Sequence, residues 1–432
     1  MRSEGKALTY DRRDFLRFLA AGTATTTLAD CATAPQAQKP VGRVVVIGGG
    51  YGGATAAKYI RMWSGGRIEV FMIERNSQFV SCPLSNLVLG GSRKIEDLTR
   101  DYQGLRGHGV QVIRDEVTAV DTAKKRLKLT RLEDIAYDRL VVSPGVDFIW
   151  EQIPGLSNAA AQKKILHAWK AGPDTVALRK QLEDMRDGGV YVLAIPKAPF
   201  RCPPGPYERT CQVAFYLKQA KPRSKILVLD GNEDIVSKKG LFLKAWGDLY
   251  KGIIEYRPNM EVKDVDVAGM AVKTDFDSIK GDVLNVLPPM KAGNIAALAG
   301  LVNANNRWCA VNWLTLQSTA NPDVHVLGDA TLSAPAMPKS GHMANQHAKV
   351  CAAAVIDLML ERPINPEPMM SSTCYSFVSD REVMHVATVH KYDPAQKTMV
   401  ALPGGGVSAE RSELEAAYGN GWARNIWSDM LG

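Results

Sequence analysis

The sequence holds no CxxC pair and no CxxCH, and only seven histidines and seven cysteines are spread over its 432 residues. Tetrahedral zinc and covalent c-type haem both rely on such close pairs, so the sequence predicts no metal site and no haem on this chain. No apolar run beyond the N-terminal segment reaches the roughly 18 residues that cross a bilayer, which predicts no membrane span. Internal repeats and low-complexity tracts are missing too, excluding solenoids and fibres. The net charge is +8, but Lys and Arg are scattered. That distribution argues against nucleic acid and for solubility or docking to an acidic partner.

What is present begins with DRRDFLRFLAAGTATTTLADCATAP, which carries Arg12-Arg13, a short apolar run and small residues near Ala32 and Ala34. This is the order of a twin-arginine export signal, expected over residues 1–34. It predicts folding with a cofactor, then a periplasmic location where disulfides are permitted. Cleavage near Ala34 removes Cys31 and leaves Cys82, Cys202, Cys211, Cys309, Cys351 and Cys374. A lipoprotein is the minor alternative, since Asp30 stands where a lipobox wants a small residue.

RVVVIGGGYGGATAAKYIRMW reads as a buried strand, a glycine turn and an alanine-rich helix, and RIEVFMIERN as a second strand ending at Glu74. That is a βαβ unit opening a doubly wound sheet. Gly48, Gly50 and Gly53 form G-x-G-x-x-G, with Glu74 21 residues later. The spacing supplies a tight turn, bare backbone for a pyrophosphate, close helix packing and a carboxylate for ribose hydroxyls. Two later segments, YDRLVVSPGVDF with Gly145 and VHVLGDAT with Asp329, resemble those that complete an FAD site in flavoproteins with two dinucleotide domains. There the aspartate bonds the ribityl chain.

A second α/β block follows: helical DTVALRKQLEDMRDGG, the strand VYVLAIPKAP, a helix from about Glu208 to Gln219, and the strand SKILVLDGN. A nicotinamide domain would place another glycine fingerprint after its first strand, but this chain reads IPKAPFRCPPGPYERT there. Prolines and a lysine give neither the turn nor the bare backbone, so NAD(P)H is not expected to dock. Apolar segments return at DVLNVLPPM and VHVLGDA, the helix HMANQHAKVCAAAVIDLMLE follows, and after ERPINPEPMM the last 65 or so residues alternate in strand fashion. The expected division is FAD domain at 41–155, second Rossmann-like domain at 156–275, FAD domain again at 276–362, and a C-terminal domain at 363–432.

Within RCPPGPYERTC, Cys202 and Cys211 flank Glu208 and raise the alternatives of a local disulfide, the minor reading, or one end of something longer-range. Glu208 also fits a first-turn carboxylate that serves only the helix dipole. Cys82 leaves the ribose-binding strand toward the flavin, although a buried small residue is the commoner role for cysteine. Cys309 and Cys351 read as buried apolar residues, and Lys339 as a flavin-side cation or a solvated one.

The segments GGGYGGATAAKYI, SCPLSN, RCPPGPYER, NVLPPMKAG, WCAVN, HVLGDA, MPKSGHMANQHAKV and TCYS cover nearly the whole chain after the signal. Together they resemble the flavoprotein subunit of flavocytochrome c sulfide dehydrogenase, a branch of the sulfide:quinone reductase and glutathione reductase-like flavoproteins. The resemblance implies an α/β fold of two Rossmann-type domains, the FAD domain interrupted by an NAD-like one, plus a C-terminal α+β domain. It implies FAD joined covalently through Cys82, a redox-active disulfide between Cys202 and Cys374, and Glu208 as a base near the flavin. It implies sulfide as substrate and a c-type cytochrome subunit on a separate chain. Cys211 departs from the family pattern and leaves the partner of Cys202 open.

The chemistry expected is attack of hydrosulfide on the disulfide, giving a persulfide and a thiolate whose electrons pass to FAD. Lys339 and the helix N-terminus after Pro338 would stabilise the anionic reduced flavin. Two other readings remain. A sulfide:quinone reductase wants an amphipathic C-terminal anchor, whereas the tail SELEAAYGNGWARNIWSDMLG, with Trp422, Ile426, Trp427 and Leu431 in part-helical spacing, is short and glycine-interrupted and reads as a packing or partner surface. An accessory flavoprotein of a periplasmic sulfur-oxidation system needs the flavin but no turnover.

Overall fold

The computed structural model describes residues 40–432. The expected export signal and Cys31 lie outside the described residues. Strand β1 (Gly42–Ile47) runs into helix α1 (Tyr51–Trp63) and strand β2 (Ile68–Glu74), and β1 pairs parallel to β2. Val44, Val45 and Val46 are fully buried, which is the continuous apolar run of a parallel strand covered on both faces. A loop carrying Cys82 leads to the short helix α2 (Asn86–Gly90), after which β3 (Gln111–Arg114) and β4 (Arg139–Val142) add to the two edges.

The second domain contains α3 (Pro173–Asp184), β5 (Val190–Ile195), α4 (Gly205–Ala220), β6 (Lys225–Asp230), α5 (Lys239–Leu249), β7 (Ile254–Arg257) and β8 (Val283–Val286). Its parallel sheet has the order β7-β6-β5-β8. Here the expected boundary at 275/276 is corrected. The segment VLNV pairs with β5 from Tyr191↔Val283 to Ala194↔Val286, so it completes the second sheet instead of returning to the first. All four of its residues are buried, and such a strand carries no sign of which sheet it joins. The crossing itself is made by an antiparallel pair, Val146–Phe148 with Met290–Ala292.

Back in the first domain, β9 (Val324–Val326) pairs parallel to β4 and gives the order β9-β4-β1-β2-β3. Helix α6 (Gly341–Met359) then packs on α1. The C-terminal domain is an antiparallel sheet of β10 (Met369–Phe377), β11 (Val383–Asp393) and β12 (Thr398–Ala401). The strand-like alternation of the last 65 or so residues gives way to helix α7 (Glu413–Leu431), in which the part-helical spacing of Trp422, Ile426, Trp427 and Leu431 falls. Ser412 caps it by accepting from the Glu415 amide at 3.1 Å, and Lys58 donates to the Ser428 and Asp429 carbonyls in its last turn. Ala416, Ala423, Trp427 and Met430 form its buried stripe. Among the described residues no helix is long and apolar enough to cross a membrane.

Candidate active site

The glycine fingerprint sits between β1 and α1 as the spacing requires. Gly48 has φ +99°, and a Cβ on it would lie 2.4 Å from the Ser143 carbonyl oxygen. A Cβ on Gly53 would fall 1.8 Å from the Gly48 carbonyl oxygen, so only glycine lets α1 approach the turn. Gly50, the N-cap of α1, is different: nothing lies within 4 Å of its Cβ position. That open space at a helix N-terminus is where an anion fits. Glu74, at the end of β2, accepts from the Gly49 amide at 2.7 Å and from Asn76 at 2.8 and 2.7 Å. Gly145 has φ +65° and open space beside it.

Asp329 follows β9. Its Oδ1 is buried with no hydrogen-bond partner, and burial raises its carboxyl above the usual range. A buried acceptor left unpaired costs about 1–3 kcal/mol. A ribityl hydroxyl would satisfy it, so with the open cradle at Gly50 the residues fit FAD. Lys339 lies farther along the same wall; its Nζ donates to the Asp329 carbonyl at 3.0 Å and stands 3.8 Å above the Trp308 ring. Burial pulls the Lys339 ammonium down to about 8. Ser340 caps α6 by accepting from the Met343 amide at 3.1 Å, leaving that helix N-terminus beside Lys339.

The loop between β5 and α4 brings Cys202 to this wall. Its amide donates to the Lys339 carbonyl at 2.8 Å, and its φ is +59°, a left-handed conformation uncommon outside glycine. Cys374 arrives from β10 in the C-terminal domain, and the thiols of Cys202 and Cys374 share a hydrogen bond. All six cysteines in the described residues are free thiols. Within the pair, that bond and burial raise the Cys202 thiol above its ordinary value. Cys374 is lowered, first by the bond with Cys202 and then, against burial, by the nearby Lys238 ammonium.

Glu208, in the first turn of α4, accepts from the Phe377 amide at 2.9 Å and from Asn86 Nδ2 at 2.8 Å. Burial still carries its carboxyl above the usual range. Cys82 accepts from the Ala171 amide at 3.4 Å and lies 3.8 Å from the Trp169 carbonyl oxygen. The Trp169 ring reaches the Cys202 loop, with its Nε1 donating to the Arg201 carbonyl at 3.2 Å. Cys82, Cys202, Cys374, Glu208 and Lys339 therefore gather at one end, and Gly48, Gly50, Gly53 and Glu74 at the other, with Asp329 between; Gly145 lies in the turn after β4. Cys211 belongs to neither group. It is fully buried and accepts from Trp246 Nε1 at 3.2 Å, a core contact.

Sequence reasoning missed Asn86, Arg209, Trp169, Trp308 and Lys238. Arg209 is 1% exposed, and it donates to Asn86 Oδ1 at 3.0 Å and to the carbonyls of His167 and Ala168 at 2.7 and 2.6 Å. It thereby ties α2, α4 and the segment over Cys82 together. Asn86 sits in SCPLSN, Arg209 in RCPPGPYER and Trp308 in WCAVN, so the segments were visible although the contacts were not. Nothing in the sequence marks Lys238. In the second domain, Asp230 stands at the end of β6, where a nicotinamide domain places its ribose carboxylate. Its oxygens already accept from Tyr207 at 2.7 Å, Tyr256 at 3.0 Å and Asn232 at 3.0 and 2.7 Å. Among the described residues no group of three or more His, Cys, Asp or Glu is placed to hold a metal.

Two parallel-sheet domains, the first with an FAD cradle, define a flavoprotein of the pyridine nucleotide-disulphide oxidoreductase class, and the profile of that class matches residues 42–184. Profiles described as sulfide dehydrogenase [flavocytochrome c] flavoprotein chain, central, and flavocytochrome c sulphide dehydrogenase, flavin-binding, match residues 175–288 and 366–431. A sulfide dehydrogenase [flavocytochrome c] flavoprotein chain of Chlorobaculum thiosulfatiphilum is 52% identical over 46 residues, 11% of this chain and 94% of that one. The mitochondrial sulfide:quinone oxidoreductase of Dictyostelium discoideum is 23% identical over 339 residues, covering 76% and 73% of the two chains. The crystal structure of the sulfide:quinone oxidoreductase of Aquifex aeolicus superposes with a TM-score of 0.72 at 19% identity, covering 90% and 91% of the chains. The chain belongs to the flavocytochrome c sulfide dehydrogenase flavoprotein and sulfide:quinone oxidoreductase family, and is an FAD-binding oxidoreductase of that sulfide-oxidising group.

Proposed function

We propose that the protein is a periplasmic sulfide dehydrogenase that oxidises sulfide to sulfur or polysulfide and passes the electrons to a c-type cytochrome on another chain. The observation that carries this reading is the contact between Cys202 and Cys374, which come from different domains and meet beside Lys339, Glu208 and the Cys82 loop. In the oxidised protein the two are joined as a disulfide. Hydrosulfide attacks one sulfur, a new S–S bond forms, the Cys202–Cys374 bond breaks, and its electron pair leaves with the other cysteine as a thiolate. One sulfide is oxidised to the level of a persulfide and one cysteine is reduced. Glu208, raised by burial, takes and returns the proton. FAD, held covalently through Cys82, supplies a two-electron store that discharges one electron at a time.

Three observations bear on the acceptor. The internal bonds of Asp230 leave it no free acceptor for a nicotinamide ribose, which favours an acceptor other than NAD. Quinone is the second reading, favoured by the names of the relatives in Dictyostelium and Aquifex. Against it, α7 spends its apolar stripe on the protein's own core instead of a bilayer. The periplasmic location rests on the twin-arginine segment alone.

Anaerobic stopped-flow bleaching of the flavin by sulfide, followed by reoxidation with cytochrome c, quinone or NAD, tests the reading. Bleaching lost in Cys202→Ser and fastest reoxidation by cytochrome c are expected. Full bleaching in that variant, or preference for quinone, would overturn the assignment. Peptide mapping without reductant should link Cys202 to Cys374.

A further inference from the structure

Lys238 breaks three local rules at once. It occupies the N-cap of α5 with φ +56°, its side chain makes no capping bond, and it is 7% exposed. An N-cap position favours Ser, Thr, Asp or Asn, left-handed φ disfavours a long side chain, and a cation opposes the positive end of a helix dipole. Burial adds a desolvation penalty for its charge. Within α5 its ammonium finds only the face of the Phe242 ring, 6.0 Å from the centroid, at the limit of a cation–π contact.

The offset lies across the domain boundary. The Lys238 ammonium donates to the Cys374 carbonyl at 3.0 Å, to Ser376 Oγ at 2.8 Å and to the Met384 carbonyl at 3.4 Å, so β10 and β11 take all three of its protons. Every acceptor is neutral, and among the described residues Lys238 has no carboxylate within ion-pair distance. The ionisable groups that face it are Cys374, Glu208 on α4, Cys202 and, more weakly, Glu415 on α7; Arg201 faces Cys202.

We propose that Lys238 is a positioning residue of the redox centre, the counter-cation that fixes Cys374 in place and makes it, not Cys202, the anionic sulfur of the reduced pair. The geometry gives it both jobs. Its bond to the Cys374 carbonyl anchors the strand at the cysteine, and the same bond holds its charge against that residue. The lowering of Cys374 and raising of Cys202 agree with this arrangement. The inference rests on reading Cys202 and Cys374 as the redox pair.

The test is the pH dependence of alkylation in the reduced holoenzyme, with iodoacetamide as probe and each cysteine followed by peptide mass spectrometry. In the wild type Cys374 is expected to react ahead of Cys202. Lys238→Met should raise the midpoint for Cys374 by about one pH unit or more, so that its alkylation near pH 7 falls about tenfold. Lys238→Arg, which keeps the charge, should restore it. An unchanged midpoint in Lys238→Met, or Cys202 reacting first in the wild type, overturns the proposal. If Lys238→Met does not fold, the wild-type order and the arginine variant decide. Alkylation is read whether or not sulfide is the substrate, so this failure is separable from failure of the sulfide assay.

Discussion

Replacing the three fingerprint glycines one at a time by alanine should give two different kinds of defect. At Gly50 the backbone has φ −76° and no atom lies within 4 Å of the new methyl, so the apoprotein accepts it without strain. Alanine there also narrows the unfolded ensemble, worth about 0.4–1 kcal/mol. The melting temperature of the apoprotein should therefore hold or rise. The methyl fills the space where the pyrophosphate meets the α1 N-terminus, and a charged hydrogen bond lost there is worth about 1.5–3 kcal/mol. That weakens flavin binding by about 10- to 150-fold. Gly53→Ala puts a methyl 1.8 Å from a backbone oxygen and should damage the fold itself. The assay is flavin titration and thermal unfolding of the apoprotein, in a Cys82→Ser background so that no covalent bond masks the affinity. Gly50→Ala binding flavin as tightly as its parent, or melting as early as Gly53→Ala, would refute the reasoning.

Acid precipitation should release FAD from Cys82→Ser but not from the wild-type protein; free FAD from the wild type would end the covalent assignment. Burial raises the Glu208 carboxyl, so the folded chain holds a proton that the unfolded chain has lost. Its contribution to stability is present at low pH and is lost as pH rises from the ordinary carboxyl range through the elevated folded value. Glu208→Gln should remove that slope from the urea midpoint, and an unaltered slope would show that Glu208 is not its source. Cys211→Ala removes the acceptor of the Trp246 indole and should cost about 1–3 kcal/mol. Sulfide bleaching should be intact in that variant, and its loss would return Cys211 to the redox centre.

The first domain was legible because its signals are local: a buried strand, a glycine turn, a helix and a carboxylate occur in order within 33 residues, from Gly42 to Glu74. The second domain was legible in its elements but not its edge, because β8 is apolar on both faces and suits either sheet. Helix α7 was partly legible in the spacing of Trp422, Ile426, Trp427 and Leu431, but Gly419 and Gly421 and the strand pattern before it masked its length, although Ser412 and Glu415 carry its capping signal. At the site, Cys202, Glu208 and Cys374 stand in motifs. Lys238 does not, because what it does depends on a strand about 136 residues away. Cys211 looked like a partner for Cys202 only because they are close in sequence; their side chains belong to different environments.

The redox centre is stitched across two domains by more than its sulfurs. Glu208 holds the Phe377 amide, Gln212 donates to the carbonyls of Phe377 and Ser379 at 2.9 Å each, and Lys238 holds the Cys374 carbonyl. A chimera that took the C-terminal domain of a relative while keeping this second domain would inherit a cysteine without the clamp that aims it. Exchange between members of the family is workable only if α4, the turn before α5 and β10 travel together, so these three stretches form one heritable unit despite lying in separate domains.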